Sequence, residues 1–409
     1  MNNIIVQKFG GTSVGSIEKI KKIANRIKKY KDDNNHLVIV VSAMGDTTNE
    51  LIKKANSISK YPSPRELDML LSTGELISIS LLSIALQEIN CKSISLTGGQ
   101  SGIITNSYHK KARITSIDTK RIEEELAKDN IVIIAGFQGV TENYDITTLG
   151  RGGSDTTAVA VAAALNADLC EIYTDVDGIY TTDPRICKSA VKLNEISYDE
   201  MLELARQGAN VLHPRSVEIA SKYKLPLVVR SSFNDSEGTN IIEVSKMEKT
   251  LIRGIALDNN ICRITVTKVP DEPGIAFKLF SLLAKNNINV DTIIQNLNHD
   301  KKNDISFTVS EDNYKNTVDI CNEFASEYIE TKVLSKTNVS KISIIGTGIT
   351  SNAEIASKFF QTLYELEINI EMISTSEIKI SCIIASSDTD EAVRQIHSQF
   401  ELDKINILN

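Results

Sequence analysis

Residues 149–158 carry the side chains of this chain that are best suited to chemistry. They place the guanidinium of Arg151, two flexible glycines, the hydroxyl of Ser154 and the carboxylate of Asp155 just before a run of small apolar residues. The run predicts a buried helix, and the unpaired N–H groups at a helix N-terminus favour an anionic ligand. Arg151 adds a planar fork for a carboxylate or a phosphate. Asp155 could hold a lysine, a metal or a proton in place; alternatively, Ser154 or Asp155 only caps the helix.

A second glycine loop follows Lys8. Residues 4–8 form an apolar run that predicts a buried strand, Gly10 and Gly11 come next, and a helical pattern begins at Ile17. A strand, a glycine turn and a helix start together are the layout of a phosphate-binding loop. The loop is neither a Walker A sequence nor a dinucleotide fingerprint, because its lysine precedes the glycines. A lysine this close to a terminus is most often a solvated charge, but the apolar strand before it favours a functional position.

The elements that must position these loops alternate along the first part of the chain. Residues 1–240 alternate short apolar strands with helical patterns, which favours a largely parallel sheet with helices on both faces. The strand candidates are residues 4–8, 37–42, 93–96, 131–137, 171–174 and 227–229. Ligands of such sheets bind beyond the carboxyl ends of the strands. Lys8, Ser42, Phe137 and Thr174 stand at such ends, so the topology predicts that they converge at one edge.

The rest of the chain contains an internal repeat. After a junction at 241–262, the sequence RITV at 263 returns as KISI at 341, and INVDTI at 288 returns as INIEMI at 368. Helical spacing and alternating strands between these points predict two ferredoxin-like β-α-β-β-α-β domains, at 263–338 and 339–409. Each small sheet has a face that needs a partner, so pairing between the copies or across a homo-oligomer is expected.

Composition limits the class of protein. The chain has 409 residues, 41% of them hydrophobic and 24% charged, which is ordinary for a globular protein of two or three domains. A net charge of −8 and the absence of Trp argue against a nucleic-acid partner. The apolar runs are too short for a membrane span. Six cysteines without C-x-x-C spacing, and a strand at the very start of the chain, predict a cytoplasmic protein with reduced thiols and no zinc site.

Five motifs, in order, resemble those of aspartokinases, which belong to the amino acid kinase superfamily. They are KFGGTS at 8–13, VSAMGDTT at 41–48, STGE at 72–75, GRGGSD at 150–155 and TDVDGIYTTDPR at 174–185. The C-terminal repeat resembles the paired ACT domains of the same enzymes, so the resemblance covers nearly the whole chain. It implies an α/β kinase domain of the amino acid kinase type, with its parallel sheet sandwiched by helices, followed by two ACT domains.

The chemistry implied is phosphorylation of a carboxylate by ATP, in which positioning and charge neutralisation dominate. We expect Lys8 to stabilise the transferring phosphoryl group, and the resemblance implies that Asp155 orients Lys8. It also implies that Arg151 binds a carboxylate of the amino-acid substrate, while Glu75 pairs with its α-ammonium group. The remaining substrate-binding residues are then Thr48, Phe137 and Ser154. Glu75 could alternatively be only a capping or first-turn acid of its helix.

The resemblance also assigns the nucleotide contacts. They are Lys8, Gly10, Gly11, Ser13, Ser42, Thr174, Asp175, Tyr180, Asp183 and Arg185. Mg²⁺ is expected to bind with ATP, through phosphate oxygens and water, without a dedicated metal site in the protein. The Asp-rich loop at 174–185 does not have the spacing of an EF-hand calcium site.

The ACT pair implies feedback inhibition by lysine, threonine or both. The effector contacts implied are Asp271, Ala276, Gln295, Asn369 and Ile370. Asp271 could alternatively be no more than an N-cap residue. Some relatives make a regulatory subunit from an internal start, and Met247 stands near the corresponding junction.

The expected activity is ATP:L-aspartate 4-phosphotransfer, but two other functions remain open. One is a non-catalytic amino-acid sensor with a kinase-like domain, and the other is a kinase for glutamate, acetylglutamate or a nucleotide. Two positions depart from the family pattern: Asn210 stands where relatives often carry a lysine, and SNAE at 351–354 replaces a Ser-x-Pro-Gly helix entry. His213 is expected to be a hydrogen-bonding residue at a helix entry and not a catalytic base.

Overall fold

The computed structural model describes residues 3–209, 211–243, 252–297, 302–349 and 352–405. They divide into two compact units. The first unit comprises Met1–Ile179, Lys192–Ala205 and Asn210–Met247, and the second comprises Tyr180–Val191, Arg206–Ala209 and Glu248–Asn409. Asn210, Met247 and Ser351, on which three of the expectations above depend, lie outside the described residues.

An eight-stranded sheet forms the centre of the first unit, in the order β10-β12-β11-β9-β1-β2-β6-β3. Its strands are β1 Ile4–Phe9, β2 His36–Val41, β3 Ser93–Leu96, β6 Ile131–Ala135, β9 Leu169–Thr174, β10 Glu195–Ser197, β11 Leu227–Ser231 and β12 Thr239–Ile242. All neighbours pair in parallel except β11 and β12. All six predicted strands are present, and the predicted, largely parallel sheet is confirmed.

Seven helices accompany this sheet in the described residues. They are α1 Ile17–Asp32, α2 Thr47–Ile58, α3 Pro64–Glu88, α4 Lys120–Ala127, α5 Gly153–Ala164, α6 Tyr198–Arg206 and α7 Pro214–Tyr223. Helix α1 buries Ile20, Ile23 and Ala24, as its spacing predicts, because these residues share the face that packs on the sheet. Ile17 was expected on that face but is 46% exposed, since it begins the helix directly after the capping hydroxyl of Ser16.

A smaller four-stranded sheet, in the order β5-β4-β7-β8, was not predicted from the sequence. Its strands are β4 Ile103–Thr105, β5 Ile114–Ile117, β7 Gln138–Val140 and β8 Ile146–Thr148. Strands of three or four residues seldom show a clear alternation of apolar and polar residues, although the four-residue β3 was predicted. This sheet matters for the site because β7 and β8 lie between Phe137 and the glycines that precede α5.

The second unit contains a six-stranded sheet in the order β14-β15-β13-β16-β18-β17, antiparallel throughout. Its strands are β13 Gly254–Pro270, β14 Ile293–Leu297, β15 Lys302–Ser310, β16 Lys332–Ile345, β17 Met372–Ser376 and β18 Lys379–Ala385. Its helices are α8 Ile275–Lys285, α9 Tyr314–Ser326, α10 Ala353–Glu365 and α11 Thr389–Gln399. Its apolar residues form one large core for each repeat and a smaller cluster of Ile261, Val339, Met372 and Ile383.

The first strand of the second repeat's sheet comes from the predicted junction. Residues 254–258 of β13 pair with residues 341–345 of β16, whereas residues 261–270 pair with the first repeat. The second repeat was expected to end in a strand of its own, but among the described residues α11 is followed only by a short 3₁₀ turn, Leu402–Lys404. The first repeat is therefore inserted between two strands of the second. Linear repeat matching missed this because the strand precedes the first copy.

One described helix, α3, is long and apolar enough to cross a membrane when judged by length and composition alone. Half of its most apolar stretch is buried inside the protein, and core helices commonly pass the same test. The helix contains Gly74 and Glu75, and Glu75 lines the cavity described below.

Candidate active site

A cavity of about 300 Å³ opens at the carboxyl ends of the central strands of the first unit. Ten of the predicted site residues line it: Lys8, Gly10, Gly11, Ser42, Thr48, Glu75, Phe137, Arg151, Ser154 and Asp155. Ala43, Gly45 and the glycines at 150, 152 and 153 also line it and were not assigned beforehand. These belong to the motifs VSAMGDTT and GRGGSD, where the only available signal was their small size.

Lys8 and Asp155 form an ion pair in this cavity. The Lys8 Nζ lies 2.6 Å from the Asp155 Oδ1, and each side chain is 11% exposed. Lys8 is near the end of β1, and Asp155 is in the first turn of α5, where the helix dipole stabilises a carboxylate. The ammonium group is thereby held at the mouth of two glycine loops. The predicted contact exists, and its role in catalysis remains a prediction.

Helix α5 is buried from Gly153 to Ala162, as the run of small residues predicts. Its N-cap is Gly152, with no side-chain cap, so the alternative in which Ser154 or Asp155 caps the helix is wrong. Gly152 has φ +67, and a Cβ there would lie 2.3 Å from the ring of His213. Only glycine fits this position, because both the backbone conformation and the available space exclude a side chain.

Glu75 presents a buried carboxylate to the cavity. It is 2% exposed and lies in the middle of α3, which begins at Pro64, so it is not a capping or first-turn acid. Its Oε1 accepts a hydrogen bond of 3.1 Å from the Ala43 N–H, and its Oε2 has no hydrogen-bond partner among the described residues. Burial raises the pKa of Glu75 to about 8. A cationic ligand group at Oε2 would stabilise the charged form.

Arg151 lies on the exposed side of the cavity. In the part of the chain that the structure describes, its guanidinium makes no ion pair, and five N–H donors are therefore free for an anionic ligand. The cavity thus has a cation at Arg151, a carboxylate at Glu75 and a paired lysine at Lys8. Such a set of charges is suited to a ligand that has both an ammonium and a carboxylate group.

Two tight backbone contacts form the remaining wall. A Cβ on Gly11 would lie 2.7 Å from the Ala43 carbonyl oxygen, and the Gly45 N–H donates to the Gly11 carbonyl at 3.0 Å. Phe137 adopts φ +67, which is rare for a side chain of this size, and its N–H donates to the Thr157 hydroxyl at 3.2 Å. Strain of this kind is concentrated at functional sites.

His213 caps helix α7, as expected. Its Nδ1 accepts a hydrogen bond of 3.3 Å from the Arg215 N–H, and burial lowers the pKa of its imidazole. The ring therefore packs against the Gly152 turn, and it does not line the cavity.

The other predicted nucleotide contacts do not line the cavity. In the first unit, the Ser13 Oγ lies 2.6 Å from the Ser232 Oγ, and the Thr174 hydroxyl donates to Asp175 at 3.1 Å. Tyr180, Asp183 and Arg185 belong to the second unit. There the Arg185 Nη2 lies 2.7 Å from Asp183, and this hydrogen-bonded pair lowers the pKa of the Asp183 carboxyl.

The predicted effector residues occupy loops, the edge strand β14 and the first turn of helix α8 in the ACT unit. Asp271 accepts a hydrogen bond of 2.9 Å from Asn303, and α8 has Gly274 as its N-cap, so Asp271 is not a helix cap. Ala276 is in α8 and Gln295 in the edge strand β14. Asn369 and Ile370 come just before β17, the opposite edge strand.

Equivalent residues of the two repeats exchange ion pairs. Arg263 begins the first repeat and pairs with Glu371 of the second at 3.1 Å. Lys341 begins the second repeat and pairs with Asp291 of the first at 2.5 Å. Asp291 and Glu371 are the acids of INVDTI and INIEMI. The repeat seen in the sequence is therefore a structural one, in which each copy contacts the other through the same positions.

Comparison with known proteins identifies the family. Residues 3–231 match the amino acid kinase family, and residues 263–322 and 342–400 each match an ACT domain. Aspartokinase 2 of Bacillus subtilis (strain 168) is 52% identical over 402 residues, which are 98% of this chain and 98% of that protein. The chain belongs to the aspartokinases, within the amino acid kinase family. It is accordingly a kinase, and the resemblance and fold class inferred from its motifs are confirmed.

Two further relatives agree with this assignment. Aspartate kinase Ask_LysC of Stutzerimonas stutzeri (strain A1501) is 48% identical over 402 residues, covering 98% of both chains. The crystal structure of E. coli aspartokinase III in complex with aspartate and ADP matches with a TM-score of 0.81 and 26% identity, covering 97% of this chain and 99% of that one. Kinases of this family use ATP, and ACT domains in such enzymes fit allosteric regulation.

Proposed function

We propose that this chain transfers the γ-phosphate of ATP to the side-chain carboxylate of L-aspartate, giving 4-phospho-L-aspartate and ADP. The observation that carries the proposal is the cavity in which the Lys8–Asp155 pair, the buried Glu75 carboxylate and the Arg151 guanidinium face one ligand-sized space. An amino dicarboxylate offers an ammonium group for Glu75 and a carboxylate for Arg151, and its second carboxylate remains free to react with ATP near Lys8. The names of the full-length relatives support the same substrate.

In this mechanism, the positive groups of the site lower repulsion between two anions. Arg151 binds one carboxylate of aspartate, and Glu75 pairs with the α-ammonium group, which directs the other carboxylate towards ATP. A carboxylate oxygen attacks the γ-phosphorus, the bond to the β,γ-bridging oxygen breaks, and ADP leaves with that electron pair. Lys8, held by Asp155, neutralises the charge that develops on the transferred group. The N–H groups around Gly10 and Gly11 approach the phosphates because no side chain blocks them.

ATP is proposed to react as its Mg²⁺ complex. Among the described residues, no group of three His, Cys, Asp or Glu side chains is placed to hold a metal ion. The cavity instead offers a lysine, an arginine and glycine amides, which suit phosphate oxygens and leave Mg²⁺ to phosphate and water ligands. Ser13, Ser42, Thr174, Asp175, Tyr180, Asp183 and Arg185 are proposed as further nucleotide contacts.

Regulation is proposed to act through the ACT domains. Lysine, threonine or both would bind at Asp271, Ala276, Gln295, Asn369 and Ile370, and inhibit the kinase. One solved relative, E. coli aspartokinase III, has been crystallised in complex with lysine and aspartate. The exposed edge strands β14 and β17 favour a homo-oligomer formed through these domains. The domain bounds 1–240, 263–338 and 339–409 and a cytoplasmic location belong to the same proposal.

The deciding experiment measures ADP release from Mg·ATP with L-aspartate, L-glutamate or acetylglutamate, each with and without lysine and threonine. We expect turnover only with aspartate, and a fall in rate when one of the two effectors is added. Turnover with glutamate alone would overturn the assignment of the acceptor. Binding of amino acids without turnover on any acceptor would instead support a non-catalytic sensor.

A further inference from the structure

A segment within the stretch that matches the kinase family folds as part of the ACT-containing unit. Tyr180–Val191 lies inside the matched region 3–231, yet it belongs to the second unit. The Ile255 N–H, in β13, donates to the Thr181 carbonyl at 2.7 Å, and Cys187 is part of the apolar core of the second ACT domain. This segment carries Tyr180, Asp183 and Arg185.

A buried histidine of α11 contacts residues near both ends of this segment. His397 is 0% exposed, and its Nε2 lies 2.9 Å from the Oγ1 of Thr181, which is also 0% exposed. The His397 Nδ1 lies 3.5 Å from the Ser189 Oγ. The Val191 N–H donates to the same Thr181 hydroxyl at 3.0 Å. One imidazole thus joins both ends of the segment.

The chemistry of His397 is more specific than core packing requires. Its neighbours on the buried face of α11 are Ala392, Val393 and Ile396, so an apolar side chain would serve the core equally well. Burial lowers the pKa of His397, which keeps the ring neutral and leaves one nitrogen as donor and the other as acceptor. A neutral ring between two hydroxyls fixes the separation of Thr181 and Ser189, because losing either bond leaves a buried polar atom unsatisfied.

We infer that His397 of the second ACT domain is a positioning residue for ATP binding. Through Thr181 and Ser189, it holds Tyr180–Val191 in the conformation that presents Asp183 and Arg185. This inference rests on the proposed nucleotide role of that segment. It makes the affinity for ATP depend on a side chain of the regulatory domain, whereas the affinity for aspartate does not depend on it.

The test compares His397→Leu, His397→Gln and Thr181→Val in the full chain. His397→Leu should raise KM for ATP about three- to tenfold, the equivalent of one lost hydrogen bond, with KM for aspartate unchanged. His397→Gln retains a polar group at the Nε2 position and should recover most of this loss. In the Thr181→Val background, His397→Leu should add little, since its partner is already absent. Equal changes in both KM values, or no rescue by glutamine, would overturn the inference.

Ile396→Ala is the matched control, because it weakens the same core from the same helix but removes no hydrogen bond to the segment. Ile396→Ala should lower Tm and leave KM for ATP unchanged. If it raises KM for ATP as much as His397→Leu does, then His397 acts only by packing in the core. Hydrogen exchange at the Thr181 and Val191 amides gives an activity-independent readout, and should accelerate in His397→Leu only. Arg185→Ala distinguishes the nucleotide role of the segment from the positioning role of His397. If Arg185→Ala leaves KM for ATP unchanged while His397→Leu accelerates hydrogen exchange, the nucleotide role is refuted and the positioning contact is retained.

Discussion

At the scale of single residues, the Lys8–Asp155 pair is the contact on which catalysis should depend most. The two groups are 2.6 Å apart and nearly buried, so each is costly to leave alone. Lys8→Met should lower kcat by about 10²- to 10³-fold, the usual loss when one group that stabilises transition-state charge is removed. Steady-state ADP release measures this loss.

Lys21→Met is the control for Lys8→Met, because Lys21 is an exposed lysine of α1. It should leave kcat unchanged. The double variant Lys8→Met/Asp155→Asn should unfold at a higher temperature than Lys8→Met alone, since it no longer buries an unpaired carboxylate. A Lys8→Met enzyme with normal kcat would contradict the assignment of the lysine.

The ionised carboxylate of Glu75 should lower the stability of the free protein while it favours substrate binding. Its folded-state pKa of about 8 is above the value of 4.5 for an unperturbed carboxyl, so the folded state binds the extra proton between these values. The free energy of unfolding from this group therefore falls as pH rises from 4.5 towards 8. Glu75→Gln should stabilise the protein relative to the wild type above pH 8, by at most about 5 kcal/mol at about 1.4 kcal/mol per pKa unit.

Urea unfolding of Glu75→Gln and wild type at pH 5, 7 and 9 measures this difference, which should grow with pH. The same variant should bind aspartate poorly, because the amide cannot pair with an ammonium group as a carboxylate does. Glu88→Gln, at the exposed end of the same helix, should change neither property. A Glu75→Gln protein that is less stable than wild type at pH 9 would show that the carboxylate already has a compensating partner.

At the scale of elements, the turn that starts α5 is the most constrained piece of the site. Gly152→Ala must place a methyl group 2.3 Å from the ring of His213 and keep φ at +67. We expect a loss of about 2–4 kcal/mol in stability and a higher KM for aspartate, since Arg151 shifts with the turn. Urea unfolding and aspartate titration measure the two effects.

Gly274→Ala provides the matched control for this substitution. Gly274 has φ +96 and caps helix α8, but a Cβ there meets nothing within 4 Å. It should cost only the conformational penalty of about 1–2 kcal/mol. Equal losses in the two variants would mean that the contact with His213 can relax freely.

The sequence predicted those elements whose signals are local. The six predicted strands of the parallel sheet, the buried face of α1 and the small-residue helix α5 follow from apolar runs and periodicity. The ten cavity residues follow from motifs at strand ends together with the family resemblance, which alone pointed to Thr48 and Glu75 in α2 and α3. The sequence did not predict the exposure of Ile17, the four-stranded sheet or the strand at 254–258. Ile17 is exposed because it begins its helix, where the periodic pattern alone does not decide burial. The two sheet features depend on partners distant in the chain, which a window of neighbouring residues does not contain.

At the scale of the whole molecule, the strand at 254–258 should contribute to the stability of the second ACT domain and not to that of the first. Ala256 is 2% exposed and pairs with Ser343, so it belongs to the sheet of the second ACT domain although it precedes the first. Ala256→Asp should bury an unpaired charge there and accelerate hydrogen exchange in β18, while β15 of the first domain stays protected.

Hydrogen exchange resolved by strand checks this expectation in the full chain. Asn259→Asp, an exposed position a few residues along the same strand, should leave both strands protected. Loss of protection in β15 equal to that in β18 would mean that the two ACT sheets unfold together.

The inserted arrangement of the ACT domains also sets an order for folding during synthesis. The ribosome releases residues 254–258 first, the whole first ACT domain next, and the pairing partner at 341–345 only afterwards. Until then, the strand at 254–258 has an unpaired edge. Such an edge can pair with strands of other nascent chains and lead to aggregation. The first ACT domain can complete its sheet before the second ACT domain does. When residues 341–345 pair with residues 254–258, they close a loop that contains the whole first ACT domain. The speed of translation across residues 259–340 therefore sets how long the edge of the strand at 254–258 stays unpaired.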